Sequence, residues 1–331
     1  MLKKVRTPKN RKVLLVAGIL SVPFFWGTIF ASDIAAKAFL ERELTSNPEI
    51  LAAFAAQKDL EQKLHSAYPL SNKGVTPLQL NARAAASTLV RENGTTKLLF
   101  SQRHESPAFI ASVTKLMTAF VAIHTYRSTH QEVIITPEIV FVEGHSGQLK
   151  PWQIFTIRDL LYISLIESSN DAATALTIPM GYNAFITEMN TQADLLGMDT
   201  ASFVNPTGLD EANSNQASPQ DLTTLAIHLK NKYPQVFDIV SQQQFPMYTT
   251  DGTFHHTLIN TNELLGYKEW PGKVFGGKTG WTPQAKQSLL LVVESPDKKG
   301  YIVNVILGSD DRFGEMRKLL RWSLDSYKWN L

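Results

Sequence analysis

Val274-Phe275-Gly276-Gly277-Lys278-Thr279-Gly280-Trp281-Thr282 reads as a strand whose glycines let another chain come close. Two apolar strand-like runs follow at 287–294 and 301–307, and Asp311 to Ser326 has the spacing of a closing helix. Upstream, Ala86 to Val90 and Lys97 to Phe100 flank Asn93-Gly94, a hairpin signal because both turn residues tolerate positive φ. Strands at both ends of a mainly helical stretch predict an α+β sandwich, with any chemistry at the seam between its layers.

The strand at 274–282 carries Lys278-Thr279-Gly280, and two other short segments precede it in order. Ser112-Val113-Thr114-Lys115 opens the apolar run Leu116 to Ile123, which reads as a buried helix. Residues three apart share a helical face, so the Lys115 amine can reach the Ser112 hydroxyl and act as its base. A lysine does this only if its neutral form is populated, which burial and a nearby positive charge favour, and Lys278 is the candidate neighbour. Ser168-Ser169-Asn170 falls in the break between the amphipathic run Thr156 to Ile166 and the helical stretch from Asp171. A hydroxyl there can relay a proton to a leaving amine, and the Asn170 amide can hold the lysine and a substrate backbone. Lys278 and Thr279 would face a substrate carboxylate while the strand edge pairs with an extended peptide.

Each segment alone has an ordinary explanation. Ser112 alone reads equally as a helix cap with Lys115 solvated, Ser168 and Asn170 as caps, and the Lys278 segment as a glycine-rich turn. Ser295-Pro296-Asp297-Lys298 also matches S-x-x-K, yet looks like a polar turn between two strands. Joint occurrence in this order separates the three segments from that decoy, because S-x-x-K with S-D-N and K-T-G marks class A β-lactamases and penicillin-binding proteins, with serine as the nucleophile.

Over residues 75 to 328 the chain resembles the serine D-alanyl-D-alanine carboxypeptidases, the low-molecular-mass penicillin-binding proteins of peptidase family S11. Beyond the three motifs, the likeness rests on Ala111 to Ala119, Glu167 to Ala172, Met189-Asn190, Leu196-Gly197-Met198, Phe203 to Leu209, Asn260-Thr261-Asn262 with Leu264-Leu265, and Gly277 to Thr282. The resemblance implies a β-lactamase/DD-peptidase-like α+β fold: a five-stranded antiparallel sheet flanked by helices, with a helical subdomain. It implies that Ser112 is acylated, that Lys115 is the base, and that Ser168 and Asn170 complete the proton network. Lys278 and Thr279 would bind the terminal carboxylate beside Gly280, and the backbone N–H groups of Ser112 and Trp281 would form the oxyanion hole. Two positions depart from the pattern: Thr261 stands where some relatives carry arginine, and Lys286 where glycine is usual.

The expected reaction is cleavage of peptidoglycan stem peptides ending in D-Ala-D-Ala through an acyl-enzyme on Ser112, with β-lactams as covalent inhibitors. A DD-endopeptidase acting on cross-links uses the same chemistry, and a non-catalytic wall-binding homologue would keep the pocket without turnover. A β-lactamase is disfavoured, since no E-x-x-L-N segment lies between the second and third motifs.

With 331 residues, 44% of them apolar, the chain has ample material for a core. A net charge of +2 suggests no nucleic-acid partner, and the lack of cysteine excludes disulfides and thiolate metal sites. No cofactor or metal is expected. His255-His256 lacks metal-ligand spacing and reads as two surface or packing residues.

Lys3, Lys4, Arg6, Lys9, Arg11 and Lys12 precede a nonionic stretch from Val13 to Ser32. Such a stretch matches the roughly 20 residues of one bilayer crossing, with the basic flank on the cytoplasmic side. Ile29 before Ala31 fits a cleavage site poorly, so the expectation is an uncleaved anchor holding an extracytoplasmic protein. With no further β domain or amphipathic anchor after the final helix, tethering falls to this end. The expected division is a basic flank and membrane anchor or signal segment over 1–32, a helical stalk and linker over 33–74, and a DD-peptidase domain over 75–331.

Overall fold

The computed structural model describes residues 68–329 apart from 73, 145, 146 and 212, together with residues 49, 52 and 56. The expected anchor at 13–32 lies outside the described residues, as does all of the stalk at 33–67 but those three. Among the described residues no helix is long and apolar enough to cross a membrane. The unit that carries the three motifs begins at Pro69.

That unit opens with β1 (Leu70–Ser71), which pairs antiparallel with β13 (Tyr327–Lys328) at the far end of the chain. Asn72 reinforces the closure, its backbone N–H and side-chain amide donating to the carbonyls of Ser326 and Asp325. The predicted hairpin is β2 (Ala84–Arg91) and β3 (Thr96–Gln102). Of its two turn residues, only Gly94 uses the left-handed region, at φ 83°, while the Asn93 carboxamide accepts from the Thr95 N–H at 3.0 Å.

The helical layer follows. After β4 (Ala108–Phe109) and a tight 3₁₀ turn at Ala111–Thr114 come α1 (Lys115–Thr125), β5 (Glu132–Ile134), α2 (Pro137–Val140), β6 (Ile154–Thr156), α3 (Ile157–Ile166), α4 (Asn170–Ala175) and α5 (Tyr182–Leu195). The first eight residues of α1 are all buried, as its nearly unbroken apolar run requires. Thr156 caps α3 in a reciprocal box with Asp159, which fixes where that helix begins. Then come β7 (Gln216–Ala217), α6 (Pro219–Lys232), α7 (Gln235–Val240) and a hairpin of β8 (Gln244–Tyr248) and β9 (Phe254–Ile259).

The chain returns to the sheet as β10 (Val274–Thr282), β11 (Lys286–Glu294) and β12 (Gly300–Ser309), and closes with α8 (Arg312–Asp325). Sheet order is β10-β11-β12-β2-β3, antiparallel throughout. β11 and β12 are buried along most of their length, with α6 and α8 packed against β12. The one amide within β12, Asn304, is satisfied there by Ser87 Oγ–H at 2.8 Å. The decoy Ser295-Pro296-Asp297-Lys298 forms the β11–β12 turn, in which the Ser295 hydroxyl donates to Asp297. Five antiparallel strands with helices against them match the expected α+β architecture, and the 3₁₀ turn bearing Ser112 packs on β10 at the seam.

Candidate active site

Ser112 lies in the 3₁₀ turn and Lys115 is the first residue of α1. That turn is pressed from two sides. Ala111 has φ 47°, unusual for a residue with a side chain, and a Cβ on Gly208 would lie 1.9 Å from the Ala111 carbonyl oxygen. A Cβ on Gly280 of β10 would lie 2.7 Å from Ile110 O and 3.0 Å from Ser112 N. Only glycine at these places lets the strand and the 205–209 loop close on the Ser112 turn.

Lys115 is fully buried, and its Nζ has three partners: Ser112 Oγ at 2.9 Å, Asn170 Oδ1 at 2.7 Å and the Thr207 carbonyl at 2.9 Å. Two of these can only accept. A neutral amine has two N–H groups for them and one lone pair, which then faces the Ser112 hydroxyl. Burial, and next the charge of Lys278, hold the Lys115 amine well below its ordinary proton affinity, with Asp171 opposing. The three partners accommodate a neutral amine, and that is the form the surroundings favour.

Ser168 lies in the turn between α3 and α4, and Asn170 is the first residue of α4. Ser168 takes φ 69°, a strained backbone for serine, and its Oγ receives a 2.7 Å hydrogen bond from Lys278 Nζ. The Asn170 amide nitrogen donates to Glu143 O at 2.8 Å, which orients its oxygen toward Lys115. Lys278 is buried and also donates to Thr279 O. Burial, together with the nearby Arg312 guanidinium, brings its pKa down to about 7.

A cleft of about 430 Å³ opens over these groups, lined among others by Ser112, Ser168, Asn170, Thr279 and Arg312. Trp281 stands exposed on its rim. The Thr261 and Thr279 hydroxyls are 2.5 Å apart, so threonine at 261 is bonded directly to the third motif. Arg312, the first residue of α8, donates from Nη1 to Gly280 O at 3.1 Å, while its Nε is buried without a partner. The expected site residues Ser112, Lys115, Ser168, Asn170, Lys278, Thr279, Gly280 and Trp281 thus meet at one cleft. Lys286, the second departure, is instead at the strand turn with φ 55°, exposed and paired with Asp310.

Two contributors lie outside the motifs. Thr207 acts through its carbonyl, and its loop is held by Asn205 Oδ1, which accepts from the N–H groups of Thr207 and Gly208. Asn215 ties that loop to the Ser112 turn by donating to both Thr114 Oγ1 and Asn205 O. Arg312 is the other. His255 and His256, read from sequence as surface or packing residues, are bonded to each other, and His256 is bonded to Glu167 beside Ser168.

Residues 73–311 match the Peptidase S11 family, described as D-alanyl-D-alanine carboxypeptidase. The chain belongs to this family. Among its relatives, a D-alanyl-D-alanine endopeptidase of Pseudomonas aeruginosa is 31% identical over 263 residues, covering 78% of this chain and 82% of that one. The D-alanyl-D-alanine carboxypeptidase DacF of Bacillus subtilis is 29% identical over 257 residues, covering 75% and 64%. Among solved structures, penicillin-binding protein D2 of Listeria monocytogenes in its ampicillin-bound form superposes with a TM-score of 0.65 at 29% identity, over 76% of this chain and 100% of that one. The matched span contains all three short segments, and Ser112, Ser168, Asn170 and Thr279 from them line the cleft.

Proposed function

We propose that this S11 protein is a serine D-Ala-D-Ala carboxypeptidase of peptidoglycan stem peptides. The observation that carries the mechanism is the hydrogen bonding of Lys115, whose two carbonyl acceptors leave the lone pair of a neutral amine for Ser112. Ser112 Oγ attacks the carbonyl of the penultimate D-alanine, and its proton passes to Lys115. The amide C–N bond breaks as the leaving nitrogen takes that same proton from Lys115 by way of the Ser168 hydroxyl, which Lys278 holds in place, and Lys115 is neutral again for the water step. Free D-alanine departs and an ester on Ser112 remains. Water then adds to that ester, returns the proton to Ser112, and releases the shortened peptide.

The substrate carboxylate falls to Thr279 and Arg312. Burial and then the Arg312 guanidinium hold the Lys278 amine down, and it points at Ser168, so Arg312 supplies the permanent charge for the carboxylate. The backbone N–H groups of Ser112 and Trp281 are assigned to the oxyanion, and no cofactor enters.

Incubation with a fluorescent penicillin, followed by peptide mapping, tests the nucleophile. Label belongs on Ser112, and label on any other residue refutes the assignment. Release of D-alanine from a pentapeptide, lost in Ser112→Ala, tests the reaction. DD-endopeptidase activity is the second reading, favoured by the endopeptidase names of the Pseudomonas aeruginosa and Escherichia coli relatives at 31% and 29% identity. Cross-linked muropeptides assayed in parallel decide between them. An extracytoplasmic location follows from such a substrate, and retention of the full chain in washed membranes, lost on deleting 1–32, tests the proposed tether.

A further inference from the structure

Glu167 immediately precedes Ser168, is buried, and forms part of the cleft wall. Its Oε2 is 2.9 Å from His256 Nε2, and His256 Nδ1 is 2.7 Å from His255 Nδ1. His255 in turn bonds the backbone of Gln148. A file of one carboxyl and two imidazoles therefore runs from the catalytic turn, across β9, to the loop before β6. None of these groups has a part in the acyl transfer above. Glu167 Oε1 is buried without a partner.

The file obeys a proton count. A bond between two Nδ1 atoms needs one proton between them, so one ring donates and the other accepts. If Glu167 is protonated, its O–H donates to His256 Nε2, His256 Nδ1–H donates to His255 Nδ1, and His255 keeps a proton for the Gln148 carbonyl. If Glu167 is ionised, a neutral His256 donates from Nε2 to the carboxylate, and its Nδ1 must then accept from His255. A neutral His255 then has no proton left for Gln148. Every bond in the file reverses, and its outer end comes loose.

We propose that Glu167, His256 and His255 form a proton-linked brace on the catalytic turn, with Glu167 as a positioning residue whose ionisation releases Ser168 from its working position. Ser168 is the residue most exposed to such a release, since its φ of 69° is held only by its surroundings. An ionised Glu167 would leave a buried, half-unpartnered carboxylate beside Asp171, which opening of the turn relieves. The facing groups set the poise. Burial and then Asp171 of α4 push Glu167 up to about 8. Burial lowers His256 against the pull of Asp171, and burial, His256 and Lys150 lower His255 against Gln148 and Asp171. Glu143, Asp210 and Arg312 lie on the other cleft walls, and Lys278 lies beyond Ser168. These shifts favour the uncharged acid and imidazoles, and with them the first arrangement.

The brace rests on the role given above to Ser168, so the test has one arm that needs no turnover. In the full chain with ¹⁵N-labelled histidine, long-range ¹H–¹⁵N spectra from pH 6 to 10 should show His256 passing from the Nδ1–H to the Nε2–H tautomer, with a midpoint near the Glu167 value of about 8. Glu167→Gln, whose amide imitates the protonated acid, should abolish that change. The second arm is the rate of Ser112 acylation by a fluorescent penicillin. One pH unit past the midpoint leaves about a tenth of the acid protonated, so the wild-type rate between pH 7.5 and 9 should fall several-fold more than that of Glu167→Gln. Glu167→Gln should also keep more of the pH 7 rate than Glu167→Ala. A single His256 tautomer throughout, or a switch that persists in Glu167→Gln, overturns the brace. Identical alkaline limbs in wild type and Glu167→Gln overturn the link to Ser168. Absence of D-alanine release alone would count against the proposed function and leave both readouts standing.

Discussion

The Lys278 ammonium is, after burial, the main influence that strips Lys115 of its affinity for a proton. Both side chains are buried, and Ser168 and Asn170, two residues apart, are their respective partners. Base and neighbour are thus coupled electrostatically through the site as well as by shared chemistry.

Replacing Lys278 by Gln should therefore move the acid limb of Ser112 acylation to higher pH. The active form of Lys115 is deprotonated, so the rate falls as pH drops through its pKa, and removing a cause of lowering raises that pKa. Lys278→Arg keeps a charge and should leave the limb near its wild-type position. Loss of the Ser168 partner should also reduce the plateau by about 10²-fold, the lower end of general acid–base effects. Stopped-flow acylation from pH 5 to 9 checks both. An unmoved limb in Lys278→Gln would show that burial alone sets Lys115.

Arg312→Ala should weaken recognition of a terminal carboxylate. A hydrogen bond to a charged group contributes about 1.5–3 kcal/mol, so kcat/KM should fall roughly 10- to 150-fold. A peptide ending in a carboxamide has no charge to lose, and should be far less sensitive to the substitution. Equal losses on both peptides would place Arg312 outside the binding site. The same variant removes a cause of the lowered Lys278 value, which should rise above about 7.

Side chains assigned the chemistry were legible in the sequence, and groups that act through backbone or tertiary placement were not. Ser112, Lys115, Ser168, Asn170, Lys278 and Thr279 announce themselves by type and spacing. Thr207 contributes only a carbonyl, which every residue possesses. Arg312 opens a helix whose sequence says only that the chain closes there, and its reach to Gly280 depends on how α8 meets β10. The five strands were visible because their apolar runs are continuous or flank an Asn-Gly turn. The β8–β9 hairpin was not, since most of its residues are at least partly exposed and no clean alternation marks it. Missing that hairpin also hid the meeting of His256 with Glu167, residues far apart in sequence.

Asp297, in the turn of the decoy motif, should act on stability alone. Burial would raise its carboxyl, but bonds from Arg91, the Ser295 hydroxyl and the Lys299 N–H outweigh that and hold it below the usual carboxylate range. Because its folded pKa is depressed, the stabilisation is complete above the unfolded value near 3.9 and is lost as pH falls through the folded value. Asp297→Ala removes the carboxylate that sits 2.8 Å from the buried Arg91 guanidinium, and should cost about 3 kcal/mol at pH 7. That corresponds to a fall in Tm on the order of 6–12 °C. The gap between wild type and variant should narrow below pH 4 in thermal melts, and a gap independent of pH would mean that the charge is not the cause. Penicillin labelling of the folded variant should match wild type.

Gly280→Ala separates damage to the site from damage to the fold. The added Cβ would meet Ile110 O at 2.7 Å and Ser112 N at 3.0 Å, both backbone atoms of the nucleophile turn. Neither can rotate away, so β10 or the turn must move, and Ser112 moves with it. Displacements approaching 1 Å can cost about 10²-fold in rate, which is the loss expected in acylation. Gly94→Ala is the counterpart: its φ of 83° is strained for alanine, but nothing lies within 4 Å of the new Cβ. It should cost about 1–2 kcal/mol in stability and leave acylation unchanged. Parallel acylation rates and melting curves for the two variants read the contrast directly. Equal acylation in both would mean that the close approach of β10 to Ser112 has no part in holding the nucleophile.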